Sequence, residues 1–359
     1  MKKIRNISKD TLWIIATLIL IFIPFFIFAS VTIYLDPFFH YHAPLKNYEY
    51  FLNNQRYQND GIIRHFEYDS IITGTSMTEN FMTSEADQIY DADFIKTPYS
   101  GGLYKEINSC IQKAYDSGKE LKYVIRCLDY TMLIKDKNEY RHDAQYPTYL
   151  YNENLFDDVN YILNKSVFFD YDLGIIDYTR NGNKTTSFDT YSNWSKKYTY
   201  GAESVLASYT LNEPQQPQKL TRKEQRLVIG NIRQNVTDLA NEHPETTFYI
   251  FFPPYSIGYW DMAKNNGTMN KIISAERLAI KELLKCPNIK PYSFCNNFEL
   301  VCNLDNYKDD VHYGEWINSQ ILEWMHKGEY LLTEDNYQKY IKTKRKFYNS
   351  YDYHSLHED

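Results

Sequence analysis

The run Thr11–Leu35 constrains this chain most, because it contains no charged residue and consists mostly of Ile, Leu, Phe, Val and Ala. A membrane-spanning helix needs about 20 such residues, so the run predicts a transmembrane helix in which Pro24 is a candidate kink. A secretory signal peptide has a shorter apolar core, of about 7–15 residues, and a cleavage site of small residues. Only Ala29-Ser30 hints at such a site, and we therefore expect an uncleaved anchor.

The charges on the two sides of this run predict its orientation. Lys2, Lys3, Arg5 and Lys9 precede it, whereas the first charge after it is Asp36. Basic residues favour the cytoplasmic side of a membrane. We therefore expect residues 1–10 in the cytoplasm, a transmembrane helix over residues 11–35, and an extracytoplasmic C-terminal domain on a single-pass protein of the cell membrane.

The composition is that of a globular protein. Of the 359 residues, 43% are hydrophobic and 24% are charged, which argues against disorder. A net charge of -7 gives no reason to expect nucleic acid as a partner. The 35 tyrosines fit either an aromatic binding surface or the mutational bias of an AT-rich genome, and no prediction depends on them.

Cysteine and histidine patterns do not indicate a metal or a cofactor. The five cysteines show no CxxC spacing, so they predict neither a zinc site nor a disulfide framework, although Cys295 and Cys302 could pair. Cys110 and Cys127 lie in apolar stretches typical of a core. Two histidine pairs lack the acidic or cysteine partners of a strong metal site; they are His40-x-His42 and His354-x-x-His357.

Strands and helices alternate after a connector at residues 36–68. We predict strands at Ser70–Gly74, Ala92–Thr97, Tyr123–Leu128, Thr246–Phe252 and Ile289–Phe294. We predict helices at Leu103–Lys119, from a capping box at Thr221 to about Asn241, at Met269–Leu284 and at Gly314–Lys327. The domain then covers residues 69–328, with a polar insertion at about 140–217 and a peripheral charged tail at 329–359.

This alternation predicts an α/β fold, a three-layer α/β/α sandwich around a parallel, flavodoxin-like sheet. Ligand sites in such folds lie beyond the carboxyl ends of the strands. Three segments of interest fall at such positions.

The first segment is Thr73–Asn80, where the first strand ends. Gly74 permits a tight exit from the strand, and Ser76 then lies at a strand-to-helix turn near backbone N–H groups that can stabilise an oxyanion. The same serine could simply cap a helix.

The second segment is Asp309–His312, immediately before the last predicted helix. A carboxylate three residues before a histidine can orient one imidazole nitrogen, which leaves the other to take a proton from a serine. Such a DxxH pattern is also common by chance in solvated loops.

The third segment is Tyr99–Gly102, at the end of the second strand. Gly101 or Gly102 would let a backbone N–H approach a substrate oxygen without an intervening side chain. A plain turn explains these glycines equally simply.

Together, a serine after the first strand, a glycine after the second and DxxH before the last helix resemble the SGNH/GDSL hydrolase superfamily. The resemblance covers Asp69–Gln320. The stretch Gly74–Phe81 is similar to the serine block of membrane-anchored members from Gram-positive bacteria, akin to the D-alanyl-lipoteichoic acid biosynthesis protein and to polysaccharide O-acetyltransferases. The resemblance implies that Ser76 is the nucleophile, His312 the general base and Asp309 its orienting group.

One position departs from the family pattern. The third block of the superfamily usually supplies an Asn side chain to the oxyanion hole, but here the sequence reads Arg126-Cys127-Leu128-Asp129. A charged Asp129 in an oxyanion hole would repel the oxyanion, so we expect it to point elsewhere, to stay protonated, or to be replaced by another donor. Of these we favour pairing with Arg126 or a lysine away from the cleft.

We therefore expect a membrane-anchored serine acyl-hydrolase or acyltransferase that acts on an ester or thioester and uses no cofactor or metal. The expected partners are a cell-envelope glycan, a teichoic acid or an acyl-carrier donor, with a membrane-bound O-acyltransferase as a further candidate. The alternative is a catalytically degenerate protein that serves envelope assembly or binding. The missing Asn favours that alternative, and the intact Ser76, Asp309 and His312 argue against it.

Overall fold

The structure, a computed structural model, describes residues 8–141 and 146–358. Lys2, Lys3 and Arg5, which underlie the predicted orientation, lie outside the described residues. The chain divides into two compact units. Unit 1 comprises Met1–Phe66 and Gln145–Thr186, and unit 2 comprises Glu67–Ala144 and Ser187–Asp359. This division splits the predicted insertion at 140–217 between the two units.

The strands are β1 Ser70–Gly74, β2 Phe94–Pro98, β3 Tyr123–Cys127, β4 Thr247–Phe252 and β5 Ile289–Ser293. The helices of unit 1 are α1 Lys9–Leu35, α2 Gln55–His65, α5 Val159–Ile162 and α6 Leu173–Arg180. The helices of unit 2 are α3 Thr83–Tyr90, α4 Tyr104–Asp116, α7 Ala202–Ala207, α8 Arg222–Ile232, α9 Asp238–Glu242, α10 Ile257–Asn265, α11 Met269–Leu283, α12 Phe298–Cys302, α13 Glu315–Lys327 and α14 Tyr337–Ser350.

Helix α1 corresponds to the apolar run. Ser8 caps its N-terminus by accepting a hydrogen bond from the Thr11 amide, and the helix continues through Pro24. Its most apolar 18 residues have a mean hydropathy of 2.8, so α1 is long and apolar enough to cross a membrane. The helix ends at Asp36, whose carboxylate accepts three backbone N–H groups; they belong to His40, Tyr41 and His42. The predicted irregular connector therefore contains an ordered turn and helix α2.

Unit 2 contains a five-stranded parallel sheet in the order β2-β1-β3-β4-β5. Each strand begins and ends within two residues of its predicted bounds. The register pairs Gly74 with Pro98 and Cys127 with Phe251, so the carboxyl ends of β1 to β4 lie along one edge. The predicted α/β fold with a parallel sheet is confirmed.

Helices cover the sheet in two groups. Helix α3 packs on α13, whereas α4 packs on the π-helical segment Arg233–Thr237, and α11 packs on α8. Right-handed crossovers place helices on both faces of a sheet with this strand order. These two groups of helices and the sheet between them form the three-layer arrangement that the sequence predicts.

The sequence predicts a peripheral tail at residues 329–359, but the structure buries part of this segment. Tyr340, Ile341, Lys344 and Tyr348 on α14 are buried. The Lys344 ammonium lies 2.7 Å from the carboxylate of Glu276 on α11, and both side chains are fully buried. The prediction was wrong because it relied on the overall polarity of the segment, whereas the tyrosines recur at helical spacing and form one buried face of α14.

Three smaller predictions concern caps and cysteines. The capping box at Thr221 and Glu224 is confirmed and opens helix α8. All five cysteines lie among the described residues and are free, so Cys295 and Cys302 do not pair. Cys110 and Cys127 are buried as core residues.

Candidate active site

Ser76 lies immediately beyond β1, where it opens a short 3-10 turn over Ser76–Thr78. Gly74 makes this turn possible because its φ angle is +154° and its backbone lies against β3. A Cβ atom on Gly74 would come within 2.7 Å of the Thr78 methyl group and 2.9 Å of the Cys127 Cβ. The turn leaves Ser76 partly accessible, although its neighbours Thr75 and Met77 are buried.

The structure brings Ser76, His312 and Asp309 together. The Ser76 hydroxyl lies 2.7 Å from Nε2 of His312. On the other side of the imidazole, Nδ1 lies 2.9 Å and 2.8 Å from the two carboxylate oxygens of Asp309. A carboxylate at Nδ1 favours the tautomer with its proton there, so Nε2 is the acceptor for the serine hydroxyl.

The loop that carries Asp309 and His312 is closed by its own hydrogen bonds. Tyr307 and Tyr313 form an isolated antiparallel bridge, and the Lys308 amide donates to the His312 carbonyl. The Asp309 carboxylate also accepts the His312 amide at 2.7 Å. This loop thus fixes the carboxylate and the imidazole relative to each other before any substrate arrives.

The outer side of the site is charged and aromatic. Burial raises the pKa of Asp309, but hydrogen bonds from His312 and the charges of His312 and Lys308 outweigh it, so its pKa lies well below the ordinary value. The Lys308 ammonium is 3.2 Å from Asp309 and lies over the rings of Trp194 and Tyr198, at 4.5 Å and 4.2 Å. The Trp194 ring meets His312 edge to face, with centroids 5.4 Å apart.

The inner side of the site is centred on Asp129. Its carboxylate is buried and accepts hydrogen bonds from the hydroxyls of Thr75, at 2.6 Å, and Tyr255. Burial raises the pKa of Asp129, and the hydroxyl hydrogen bonds offset this rise only in part. The Thr75 hydroxyl oxygen in turn accepts the Met77 amide, so Asp129 supports the turn that presents Ser76.

This arrangement corrects one expectation about Asp129. It does not pair with Arg126, whose guanidinium donates instead to the carbonyls of Asn235 and Tyr104. Both of its carboxylate oxygens instead accept hydrogen bonds, from the hydroxyls of Thr75 and Tyr255. Arg126 lies within β3, whereas Asp129 lies two residues beyond its end, so their closeness in sequence did not mean contact in space.

The two glycines after β2 differ in their backbone contacts. The Gly102 amide donates to the Tyr99 carbonyl at 2.7 Å, so it is engaged in a turn and does not face a substrate. Gly101 is in the left-handed region, with φ of +61°, and the Arg141 guanidinium occupies the space that a Cβ atom would need. The prediction of an oxyanion donor at one of these glycines therefore now favours Gly101.

Two further side chains bind the backbone of residues 77–81, which follows Ser76, and hold it against the rest of unit 2. The buried Lys96 ammonium donates to the carbonyls of Glu79 and Phe81, at 2.6 Å and 2.8 Å. Burial lowers the pKa of Lys96 to about 7, and nearby carboxylates oppose this shift. On α13, the Asn318 amide donates to the Met77 carbonyl at 3.1 Å.

Residues 8–141 and 146–358 contain no cluster of three or more His, Cys, Asp or Glu side chains suited to a metal ion. The histidine pairs considered from the sequence have carboxylate partners instead. His40 lies 3.2 Å from Asp158, and His357 lies 2.7 Å from Asp261.

The sequence did not identify several residues of this site. Thr75 and Lys308 were adjacent to predicted residues, so proximity in sequence was an available signal. Trp194 and Tyr198 lie in the polar insertion, where no periodicity linked them to His312. Comparison of the sequence with models of known protein families gave no match, and neither did comparison with curated proteins.

Proposed function

We propose that unit 2 is a serine acyl-hydrolase or acyltransferase of the SGNH/GDSL type. The observation that carries this proposal is the hydrogen-bonded series from Ser76 through His312 to Asp309, with a serine-to-imidazole distance of 2.7 Å. A serine hydroxyl is a weak nucleophile unless a base removes its proton, and the base needs an orienting group. All three roles are filled at the carboxyl edge of a parallel sheet, where ligands of such folds bind.

The proposed reaction begins when the Ser76 oxygen attacks the carbonyl carbon of an ester or thioester. The hydroxyl proton moves to Nε2 of His312, and the imidazolium is stabilised by the Asp309 carboxylate. The proton then passes to the departing alcohol or thiol as its bond to the acyl carbon breaks. Water, or the hydroxyl of a sugar or polyol, next attacks the acyl-serine while His312 takes the proton of the attacking group, and Ser76 is regenerated.

Backbone N–H groups are the proposed stabilisers of the oxyanion. The Ser76 amide opens a helical turn, and the first N–H groups of such a turn have no acceptor within it. Gly101 lies three residues beyond Pro98, which is the register partner of Gly74 at the end of β1. Because Asp129 is an acceptor, no side-chain amide replaces the Asn of the family pattern at that position.

The proposed substrate is part of the cell envelope. An anchor such as α1 favours a polymer, a teichoic acid, a lipid-linked glycan or a carrier-bound acyl group over a freely diffusing ester, and a membrane-bound O-acyltransferase would fit as a partner. The basic residues before α1 support an extracytoplasmic location of unit 2. Protease added to intact protoplasts is expected to digest unit 2, and protection until the membrane is broken would contradict this orientation.

A fluorophosphonate probe tests the proposed nucleophile directly. The full chain in detergent is expected to form a covalent adduct at Ser76, and Ser76→Ala should abolish labelling. Ser76→Ala should also lower kcat/KM for an aryl acetate by more than about 10³-fold. Ser109→Ala is a suitable control, because this serine lies on α4 and should leave both readouts unchanged.

The competing proposal is a non-catalytic envelope protein, and the acceptor role of Asp129 is the observation that favours it. That proposal predicts no labelling of Ser76 and no ester turnover above that of Ser76→Ala. Labelling together with turnover would exclude it. Adding a sugar or polyol acceptor then separates hydrolysis from transfer, because a transferase gives a new ester in place of the free acid.

A further inference from the structure

Unit 1 exposes large apolar side chains in one short stretch of the chain. Between residues 155 and 173, Phe156 is 92% exposed and Leu155 is 76% exposed. Four other large apolar side chains of this stretch are also exposed; they are Val159, Leu163, Phe169 and Leu173. Several large apolar side chains exposed within one short segment are typical of an interaction site.

The same stretch is fixed to the C-terminal part of α1 within unit 1. The Phe168 ring stacks on Phe28 with centroids 4.0 Å apart, and Phe169 meets Phe28 edge to face at 5.8 Å. The Thr32 hydroxyl donates to the buried Asp172 carboxylate at 2.5 Å. The exposed Phe169 therefore adjoins the apolar surface of α1.

The position of these contacts along α1 sets the depth of the stretch in a bilayer. Phe28 lies seven residues before Leu35, or about 10 Å along a helix axis that rises 1.5 Å per residue. The 27 residues of α1 span about 40 Å, whereas the hydrocarbon core is about 30 Å thick. A centred α1 extends about 5 Å beyond the core at each end, so Phe28 lies about 5 Å inside the boundary between acyl chains and headgroups. Phe168 and Phe169 contact Phe28 at that level, and Asp158, which bonds to His40 and Tyr41, lies near the C-terminal end of α1.

We propose that residues 155–173 form a membrane-interfacial surface, which inserts Leu155, Phe156 and Phe169 into the leaflet at the C-terminal end of α1. This inference requires α1 to lie in a membrane and is independent of the proposed chemistry of unit 2. Phe and Leu side chains are typical of helices and segments that lie in the interface. The bilayer is the occupant that matches the contacts, because the surface continues that of a membrane-spanning helix.

The charges of the stretch indicate how it binds lipid. The stretch contains one lysine, Lys165, and four aspartates, of which Asp158 is paired with His40 and Asp172 is buried against Thr32; the other two are Asp157 and Asp170. Attraction to anionic headgroups therefore contributes little, and burial of apolar area is the driving force. Insertion should be similar in zwitterionic vesicles and in vesicles with added anionic lipid.

Fluorescence quenching of the full chain in phosphatidylcholine vesicles tests this surface. Phe156→Cys, in a Cys302→Ser background that removes the one cysteine that is not buried, carries an environment-sensitive nitrobenzoxadiazole label. Lipids with a nitroxide on the acyl chain should quench the label by more than half, and iodide present on both sides of the bilayer should not. Phe169→Cys should behave in the same way.

Lys184→Cys is the matched control, because this side chain belongs to unit 1 and is 88% exposed. Its label should show the reverse pattern, with quenching by iodide and not by nitroxide lipid. Equal iodide quenching at positions 156 and 184 would overturn the proposal by placing the stretch in water. Protection of position 156 from both quenchers would also overturn it, because a protein partner or a second copy would then cover the surface. A chain that does not float with the vesicles overturns its premise.

Discussion

Two sides of Ser76 differ in charge and in exposure. On the outer side, Asp309 and His312 each retain about a fifth of their side-chain surface, and the Lys308 ammonium adds a positive charge. On the inner side, Asp129 is buried among hydroxyl groups. The two carboxyl groups consequently have pKa values displaced in opposite directions, with that of Asp309 lowered and that of Asp129 raised.

The difference indicates that Asp309 and Asp129 have different roles. A group that stabilises an imidazolium must carry a negative charge at neutral pH, and cations beside Asp309 favour that charge. A group that only holds a turn needs acceptor oxygens, and hydroxyl partners provide these contacts without a countercharge. We therefore expect outer-side variants to lose activity while they remain folded, and inner-side variants to lose stability first.

The largest expected effect is that of Asp309→Asn. The amide would present an N–H group to Nδ1 of His312 and favour the wrong tautomer, so kcat/KM for an aryl acetate should fall by about 10⁴-fold. The melting temperature should change little, because the Asn side-chain oxygen still accepts the His312 amide. Steady-state kinetics and a thermal melt of the same preparation provide the two measurements.

Asp310→Asn is the matched control for this variant. Asp310 is adjacent in sequence, but its contacts run to Ser208 and Ser256 through its backbone. Its kcat/KM should remain within a few-fold of the wild type. If Asp309→Asn retained full turnover, the outer side would have no part in proton transfer.

Asp129→Ala should have the next largest effect, and that effect should be on stability. The change removes the acceptor of two buried hydroxyl groups and leaves a small cavity, at a cost of roughly 2–4 kcal/mol in the free energy of unfolding. Asp129→Asn keeps an acceptor oxygen and should cost less than about 1 kcal/mol, with turnover within a few-fold of the wild type. Urea denaturation and ester kinetics measure both variants.

Turnover of Asp129→Asn also tests whether residue 129 has a structural role or a chemical one. A large increase would place residue 129 at the oxyanion after all, since an amide donates where a carboxylate repels. A large decrease without loss of stability would mean that the carboxylate takes part in the chemistry. Either result would remove the proposed division between the inner and outer sides.

Lys96 binds the backbone that follows Ser76 and allows the packing of that segment to be tested through pH. Its pKa of about 7 in the folded protein lies below the unfolded value of about 10.4, so the unfolded chain binds more protons between these two pH values. The stabilising contribution is therefore present above about pH 10.4 and is lost as the pH falls to 7. The free energy of unfolding of wild type relative to Lys96→Met should rise by at least about 1 kcal/mol from pH 7 to pH 10, because each pKa unit corresponds to about 1.4 kcal/mol. A flat difference over this range would contradict the lowered pKa.

The sequence predicted most of the sheet and the outer half of the site. The strands are short apolar runs with turn residues behind them, and Ser76, Asp309 and His312 fall where such runs end or a helix begins. It did not predict the role of Asp129, because Tyr255 approaches it only through the pairing of β3 with β4. Trp194 and α14 were missed for a related reason: their burial depends on contacts between residues far apart in the chain, which local pattern does not reveal.

The smallest expected effect is that of Lys308→Met, which removes the charge beside Asp309 and over the rings of Trp194 and Tyr198 but keeps an apolar side chain of similar length. Partly exposed ion pairs contribute about 0–1 kcal/mol, so kcat should fall by less than about tenfold, with KM unchanged. Lys308→Arg preserves the charge and should match the wild type. Because salt screens such interactions, the difference between wild type and Lys308→Met should shrink as ionic strength rises. A loss as large as that of Asp309→Asn would mean that Lys308 belongs to the proton-transfer group itself, and an unchanged kcat at low salt would mean that its charge does not act on Asp309.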